Sequence, residues 1–216
     1  MGGMFDPNGQ GYNFISKITN LIILNLLWVV CSLPLVTAGA AMTALYTVVL
    51  KMARDEEGSI VKTFFKAFGR NFKQATGIWM GLLLYFLLVA GQLLFFIRVG
   101  QHTAKLLIVP IALFALVGLM VLTYVFPVLA YFTGSVKTTV KNAVLMSLAH
   151  FPQTVKMLLI NAAPFFILWF FSAFLSIASF ADVVFVFAGC AYLNACTLRN
   201  IFENYMPKTA LEAVEA

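Results

Sequence analysis

Charge is what this chain has least of. Only 10% of its 216 residues are Asp, Glu, Lys or Arg, against about 25% in soluble domains. That scarcity excludes an ordinary water-soluble fold. Acids are fewest: Asp6, Asp55, Glu56, Glu57, Asp182, Glu203, Glu212 and Glu215 are all there are, and each reads as loop or tail. No apolar run holds Lys, Arg or His in its interior. Membrane enzymes and proton-coupled carriers need ionisable groups at such depth, so catalysis is not expected, nor a pump built on buried carboxylates. There is no HExxH, no cluster of His with acids and no nucleophile triad. Cysteine is scarce too. Cys31, Cys190 and Cys196 are odd in number and lack CxxC spacing, which excludes a disulfide framework and a metal centre and leaves them as small buried hydrophobes. No metal and no cofactor is expected.

The N-terminal segment lacks a basic region and a small-x-small site, so no cleavable signal is expected. Asp6 stands where a myristoylation signal needs Ser or Thr.

What the chain has in excess is apolar sequence, 62% of it. Several runs reach the roughly 20 residues that cross a bilayer core. The expected fold is all-α: one integral membrane domain over 1–216, a polytopic bundle of about six apolar helices. These fall at 14–33, 36–52, 75–97, 106–132, 155–179 and 183–198. The first two are short pieces of one uncharged run, 18–50, interrupted between Pro34 and Gly39, with Thr37 between them. One kinked helix, a re-entrant broken helix and a tight two-helix hairpin are all readings of that interruption, and the hairpin fits best. Backbone groups freed by the break must be packed in protein or lie at the interface.

Lys and Arg concentrate in cytoplasmic loops. With both termini inside, twelve of the fourteen basic residues are cytoplasmic, and only Arg98 and Lys105 fall outside. A multi-pass plasma-membrane protein is expected. The net charge of +6 then serves orientation and contact with anionic headgroups, not nucleic acid.

In "SIVKTFFKAFGRNFKQ" (59–74), Lys62, Lys66, Arg70 and Lys73 share one helical face. Ile60, Val61, Phe64, Phe65, Phe68 and Phe72 oppose them. This predicts a cytoplasmic amphipathic helix lying in the interface. Asp55, Glu56 and Glu57 precede it, where acids favour a helix N-terminus, and Ser59 is a candidate cap. Docking of a partner's acidic surface is the alternative use of that face.

"NFKQAT" (71–76) and "HFPQTV" (150–155) stand 79 residues apart, each leading into a span. An internal parallel repeat, 59–132 with 138–200, would explain the spacing; coincidence in a Phe-rich sequence would as well. Within the spans the polar residues are neutral. Asn25, Thr37, Asn161 and Asn194 are candidates either for helix packing, at about a kcal/mol or less each, or for a shared polar cavity. Gly77 and Gly81 form a GxxxG pair expected to pack against another helix of the chain.

One stretch also carries a family likeness. Asn25, Leu26 and Trp28, then Pro34, Thr37 and Gly39, then Ala44, Leu45 and Tyr46, are followed by Phe64 or Phe65, Phe68, Asn71, Phe72 and Gln74. This pattern resembles the YesL family of membrane proteins, common in Gram-positive bacteria and largely of unknown function. Many members have Pro after the glycine, where this chain has Ala40. The resemblance implies a multi-span protein encoded near carbohydrate uptake and degradation systems. A non-enzymatic accessory to carbohydrate or oligosaccharide uptake, in contact with transporter subunits, is therefore expected. A membrane-embedded regulator or scaffold recruiting partners through 59–74 is the alternative.

Overall fold

A computed structural model describes residues 10–56, 58–99, 102–171 and 176–205. The N-terminal tail, Glu57, Lys208 and the last two acids lie outside them. Among the described residues the fold is wholly helical. Helix α1 spans Gln10–Ser32, a 3-10 turn spans Leu35–Thr37, and α2 spans Ala38–Met52. Then come α3 (Ile60–Val99), α4 (His102–Tyr131), α5 (Val136–Ala149), α6 (Phe151–Phe171) and α7 (Ser176–Glu203).

The uncharged run thus forms a two-helix hairpin. Pro34 ends α1, because a proline ring disfavours helical backbone in the residue before it and removes a donor. Four segments of the described residues are long and apolar enough to cross a membrane: Ile15–Ser32, Leu35–Met52, Ile60–Arg98 and Leu107–Tyr131. The pair Val136–Ala149 and Phe151–Phe166, bent by 102°, would make a fifth. The sixth expected span, 183–198, falls within α7.

Helix α2 is the centre of the bundle, in contact with α1, α3, α4 and α7. It is fit for that place because it opens on Gly39, Ala40, Ala41 and Ala44, small residues that let neighbours approach. Leu45, Val48, Val49 and Met52 then fill the space between them, all buried. The outer surfaces carry large apolar side chains instead, such as Leu84, Leu87, Leu88, Val109 and Phe114. An exposed apolar area of that extent belongs against lipid or another protein.

The interfacial helix expected at 59–74 is not a separate element. It is the start of α3, which runs unbroken for 40 residues, about 60 Å. No proline falls between Ile60 and Val99, and isolated glycines weaken a helix without stopping it. Its apolar face is divided. Ile60, Phe64, Ala67, Asn71, Ala75 and Ile78 recur every three or four residues and are buried, along the stretch of α3 that meets α2. Val61, Phe65 and Phe72 remain exposed beside the cations. The acids ahead of α3 serve other partners: Asp55 pairs with Lys17 of α1 at 2.7 Å, and Glu56 stands 4.0 Å from Arg54.

At an offset of 79, α3 falls on α5 and α6 together. The latter two are separated at His150, whose backbone leaves the helical region (φ −112°, ψ 47°).

Candidate functional site

The turn between α1 and α2 is built by the three residues that interrupt the run. Helix ends leave carbonyls without intrahelical partners, and this end lies among apolar neighbours. The Thr37 hydroxyl meets that need, donating a hydrogen bond shared between the Cys31 carbonyl at 2.6 Å and the Pro34 carbonyl at 2.8 Å. From α3, Trp79 Nε1 donates to the Leu35 carbonyl at 2.7 Å. Gly39 makes that approach possible. A Cβ there would lie 2.5 Å from the Trp79 Cβ and 2.6 Å from the Ala75 carbonyl, closer than packed atoms come. Pro34, Thr37 and Gly39 therefore stop a helix, satisfy its end and seat the next helix on α3. The tip is not covered on all sides, since Leu33 and Leu35 are about three-quarters exposed (75% and 74%).

The interior polar residues are disposed in separate bonds. Asn25 is fully buried on α1, and its Oδ1 accepts from the Ala188 backbone N–H of α7 at 2.9 Å. Asn194 of α7 donates through Nδ2 to Asn161 Oδ1 of α6 at 2.6 Å. Tyr46 of α2 lies against the same Asn194 amide, whose own oxygen is buried without a well-formed hydrogen bond. Beside Asn161 and Tyr46 is a cavity of about 40 Å³, closed by Trp28, Leu45, Pro164 and Phe187. That is room for about one water molecule. Thr37 is at the turn, with neither group. The four candidates do not line a common cavity. Thr43 and Thr123 bond to carbonyls of their own helices, at 3.0 and 2.9 Å.

The GxxxG pair behaves differently from expectation. A Cβ on Gly77 or Gly81 would meet nothing within 4 Å among the described residues. The glycines floor an apolar groove of about 420 Å³ walled by Tyr85, Val121, Val125 and the α5 valines Val136, Val140 and Val144. The helix that closes on α3 there is α4, and its contact glycine is Gly118, against the Tyr85 ring. Tyr85 completes the contact by donating to the Phe114 carbonyl at 2.6 Å.

Charge gathers at the end of the molecule where α2, α4 and α7 finish. Lys62, Lys66, Arg70 and Lys73 are exposed along α3. Arg54, just past α2, stacks on the Tyr131 ring of α4 with its central carbon 4.5 Å from the ring centre, and its Nη2 bonds the Tyr131 hydroxyl. Arg199 of α7 donates to the Ala53 carbonyl at 2.8 Å and pairs with Glu203 at 3.0 Å. The hydrogen bond and charge of Lys17 hold the Asp55 carboxyl below the ordinary carboxylate range. Asp55 also has φ 58°, a left-handed conformation that Asp tolerates better than most residues.

Sequence reasoning missed Trp79, Tyr131 and the link between Thr154 and Tyr124. Trp79 could have been noticed as the only polar-edged aromatic near the expected start of the third span. Nothing in the sequence pairs Tyr131 with Arg54, which lie 77 positions apart. No group of three or more metal-ligating side chains occurs among the described residues.

Residues 21–93 match a protein family described as "Protein of unknown function, DUF624". The matched segment runs from within α1 through the turn and α2 into the second half of α3. No curated protein and no solved structure matches the chain.

Proposed function

We propose that this chain is a non-enzymatic, multi-pass plasma-membrane subunit that assists carbohydrate or oligosaccharide uptake by holding a partner, not by carrying solute itself. The observation that carries this reading is the fate of the interior polar residues. Asn25 is bonded to a helix backbone and Asn161 to Asn194, so the groups that could have recognised a sugar are engaged in joining helices. A solute path needs a roomy site with several convergent polar groups; the cavity among the interior asparagines, about 40 Å³, does not provide one, and the larger polar clefts lie at the charged end. The link to carbohydrate uptake comes from the likeness of residues 25–74 to the YesL family, within the segment matched as DUF624. The distribution of basic residues supports an orientation with the charged end, and both termini, in the cytoplasm.

The test is reconstitution of the full chain in proteoliposomes with labelled oligosaccharides, beside affinity purification from its native membrane. No flux through the chain alone and co-purification of a transport subunit are expected. Flux by the isolated chain would overturn the holding role, and absence of any transport subunit would overturn the accessory role.

The second reading, a regulator or scaffold, is favoured by the four cations of 59–74, exposed on a helix whose opposite side is fixed to α2. Reversing Lys62 and Lys73 to Glu should then abolish recruitment of a soluble partner while insertion is unchanged. Recruitment that survived the reversal would sink it.

A further inference from the structure

Between the end of α2, the start of α3 and the end of α4 lies a cleft of about 290 Å³. Its walls bring Lys51, Arg54, Lys66 and Arg70 together, against one acid, Glu56. Glu56 stands 4.0 Å from Arg54, at the limit of an ion pair. Lys51, Lys66 and Arg70 have no ion pair among the described residues. Like charges held at close quarters repel, and part-burial weakens the screening by water that would relieve them. The surrounding fold nevertheless fixes the position of one of them. Arg54 has only 20% of its side chain exposed, its plane is held on Tyr131, and its Nε is buried without a hydrogen-bond partner.

We propose that this cleft binds a phosphate group, with Lys51, Lys66 and Arg70 as its charged contacts and Arg54 as the fixed cation behind them. Guanidinium and ammonium groups lining one cleft match the charge and the several acceptor oxygens of a phosphate. A single carboxylate would leave most of the four cations unanswered. Two sources share this chemistry. A soluble phosphate compound would enter from the aqueous side. An anionic phospholipid would bring its headgroup, as basic pockets between membrane helices do. A neighbouring cavity of about 850 Å³ shares Arg70, Ala130 and Tyr131 with the cleft and adds Lys73 beside Phe72, Leu129 and Phe132, apolar surface that the start of an acyl chain could cover. The proposal does not depend on the uptake role.

The test uses the full chain in phosphatidylcholine nanodiscs. Inorganic phosphate is titrated calorimetrically in one arm. In the other, native mass spectrometry follows retention of phosphatidylglycerol from an equal mixture with phosphatidylcholine. The variant is Lys66→Gln with Arg70→Gln. The control is Lys137→Gln with Lys141→Gln, which removes equal charge from α5, outside the cleft. At least a tenfold loss of affinity or retention is expected in the variant and less than twofold in the control. Loss confined to the lipid arm assigns a headgroup, and loss in the calorimetric arm assigns soluble phosphate. If the double variant proves misfolded by circular dichroism, Lys51→Gln at the exposed end of α2 should still lower binding at least threefold. The proposal fails if neither probe binds the unaltered chain, if variant and control lose equally, or if the cleft variants bind as the unaltered chain does.

Discussion

Helix α3 and the pair α5–α6 carry hexamers 79 positions apart that share Phe and Gln at the same places, and the two segments end differently. "NFKQAT" lies in the middle of a helix that continues for another 23 residues, to Val99. "HFPQTV", 79 positions on, lies at a bend of 102°. Between the two hexamers, Lys73 is replaced by Pro152. Pro152 has no N–H to give the Leu148 carbonyl, and it takes a place in the first turn of α6, where a proline is tolerated, just after His150 leaves the helical region. The bend is then fastened by the next polar residue. Thr154 is fully buried, with its hydroxyl 2.8 Å from the Ser147 carbonyl, 3.0 Å from that of His150 and 3.1 Å from the Tyr124 hydroxyl. At the matching place in α3 stands Ala75, buried against Gly39 in the first turn of α2. Pro152 and Thr154 together hold the second segment folded over, where Lys73 and Ala75 let the first run on.

The most severe way to break the contrast is to give α3 the proline of its counterpart. Lys73→Pro removes a mid-helix hydrogen bond and should cost about 3 kcal/mol or more, with loss of monodisperse protein on gel filtration. A variant as stable as the unaltered chain would show that the two halves of α3 are independent. Gly39→Val tests the other side of the same contact. The added atoms meet the Ala75 carbonyl and Trp79 Cβ, so we expect destabilisation of about 1–3 kcal/mol from overpacking. Gly91→Ala, where a Cβ meets open space inside the same helix, should not destabilise and should raise stability by about 0.5–1 kcal/mol in thermal unfolding.

The bend offers a geometric reading. Pro152→Ala alone should leave it in place, because the Thr154 hydroxyl still ties both flanking turns. Pro152→Ala with Thr154→Val should let α5 and α6 straighten, lengthening the distance between spin labels at 141 and 159. An unchanged distance in the double variant would remove the proline and the threonine as causes.

The smallest effect concerns the loop ahead of α3. Because Lys17 depresses the Asp55 pKa, the pair stabilises the fold above the ordinary carboxylate range, and this contribution is lost as pH falls through the lowered folded value. The pair is exposed, so its contribution is within about 1 kcal/mol. Lys17→Ala should flatten the corresponding part of the stability–pH curve, and an identical curve would dismiss the pair.

Much of this architecture is legible in the residues. Apolar runs locate the helices, and Pro34, Thr37 and Gly39 locate the turn, since each has a local chemical reason to be there. The continuity of α3 is less legible. An amphipathic stretch reads the same whether its apolar face meets lipid or α2, and only the recurrence of Ile60, Phe64, Ala67, Asn71, Ala75 and Ile78 every three or four residues separates the two. The polar residues were legible by type but not by pairing. Nothing in spacing alone distinguishes an Asn161 bonded to Asn194 from an Asn161 facing a solute. Likewise, GxxxG marks a surface that allows close approach without naming what approaches.

The meeting of the α1–α2 turn with Ala75 and Trp79 has a consequence for the bilayer. Helix α3 continues 20 residues past Trp79, about 30 Å, so the α1–α2 turn lies far short of the end of α3. In a bilayer, the side of the α1–α2 turn would then be lower than the side formed by the end of α3. Lipid accommodates such a step by thinning beside the short hairpin or by tilting the whole body, at a fraction of a kcal/mol per Å.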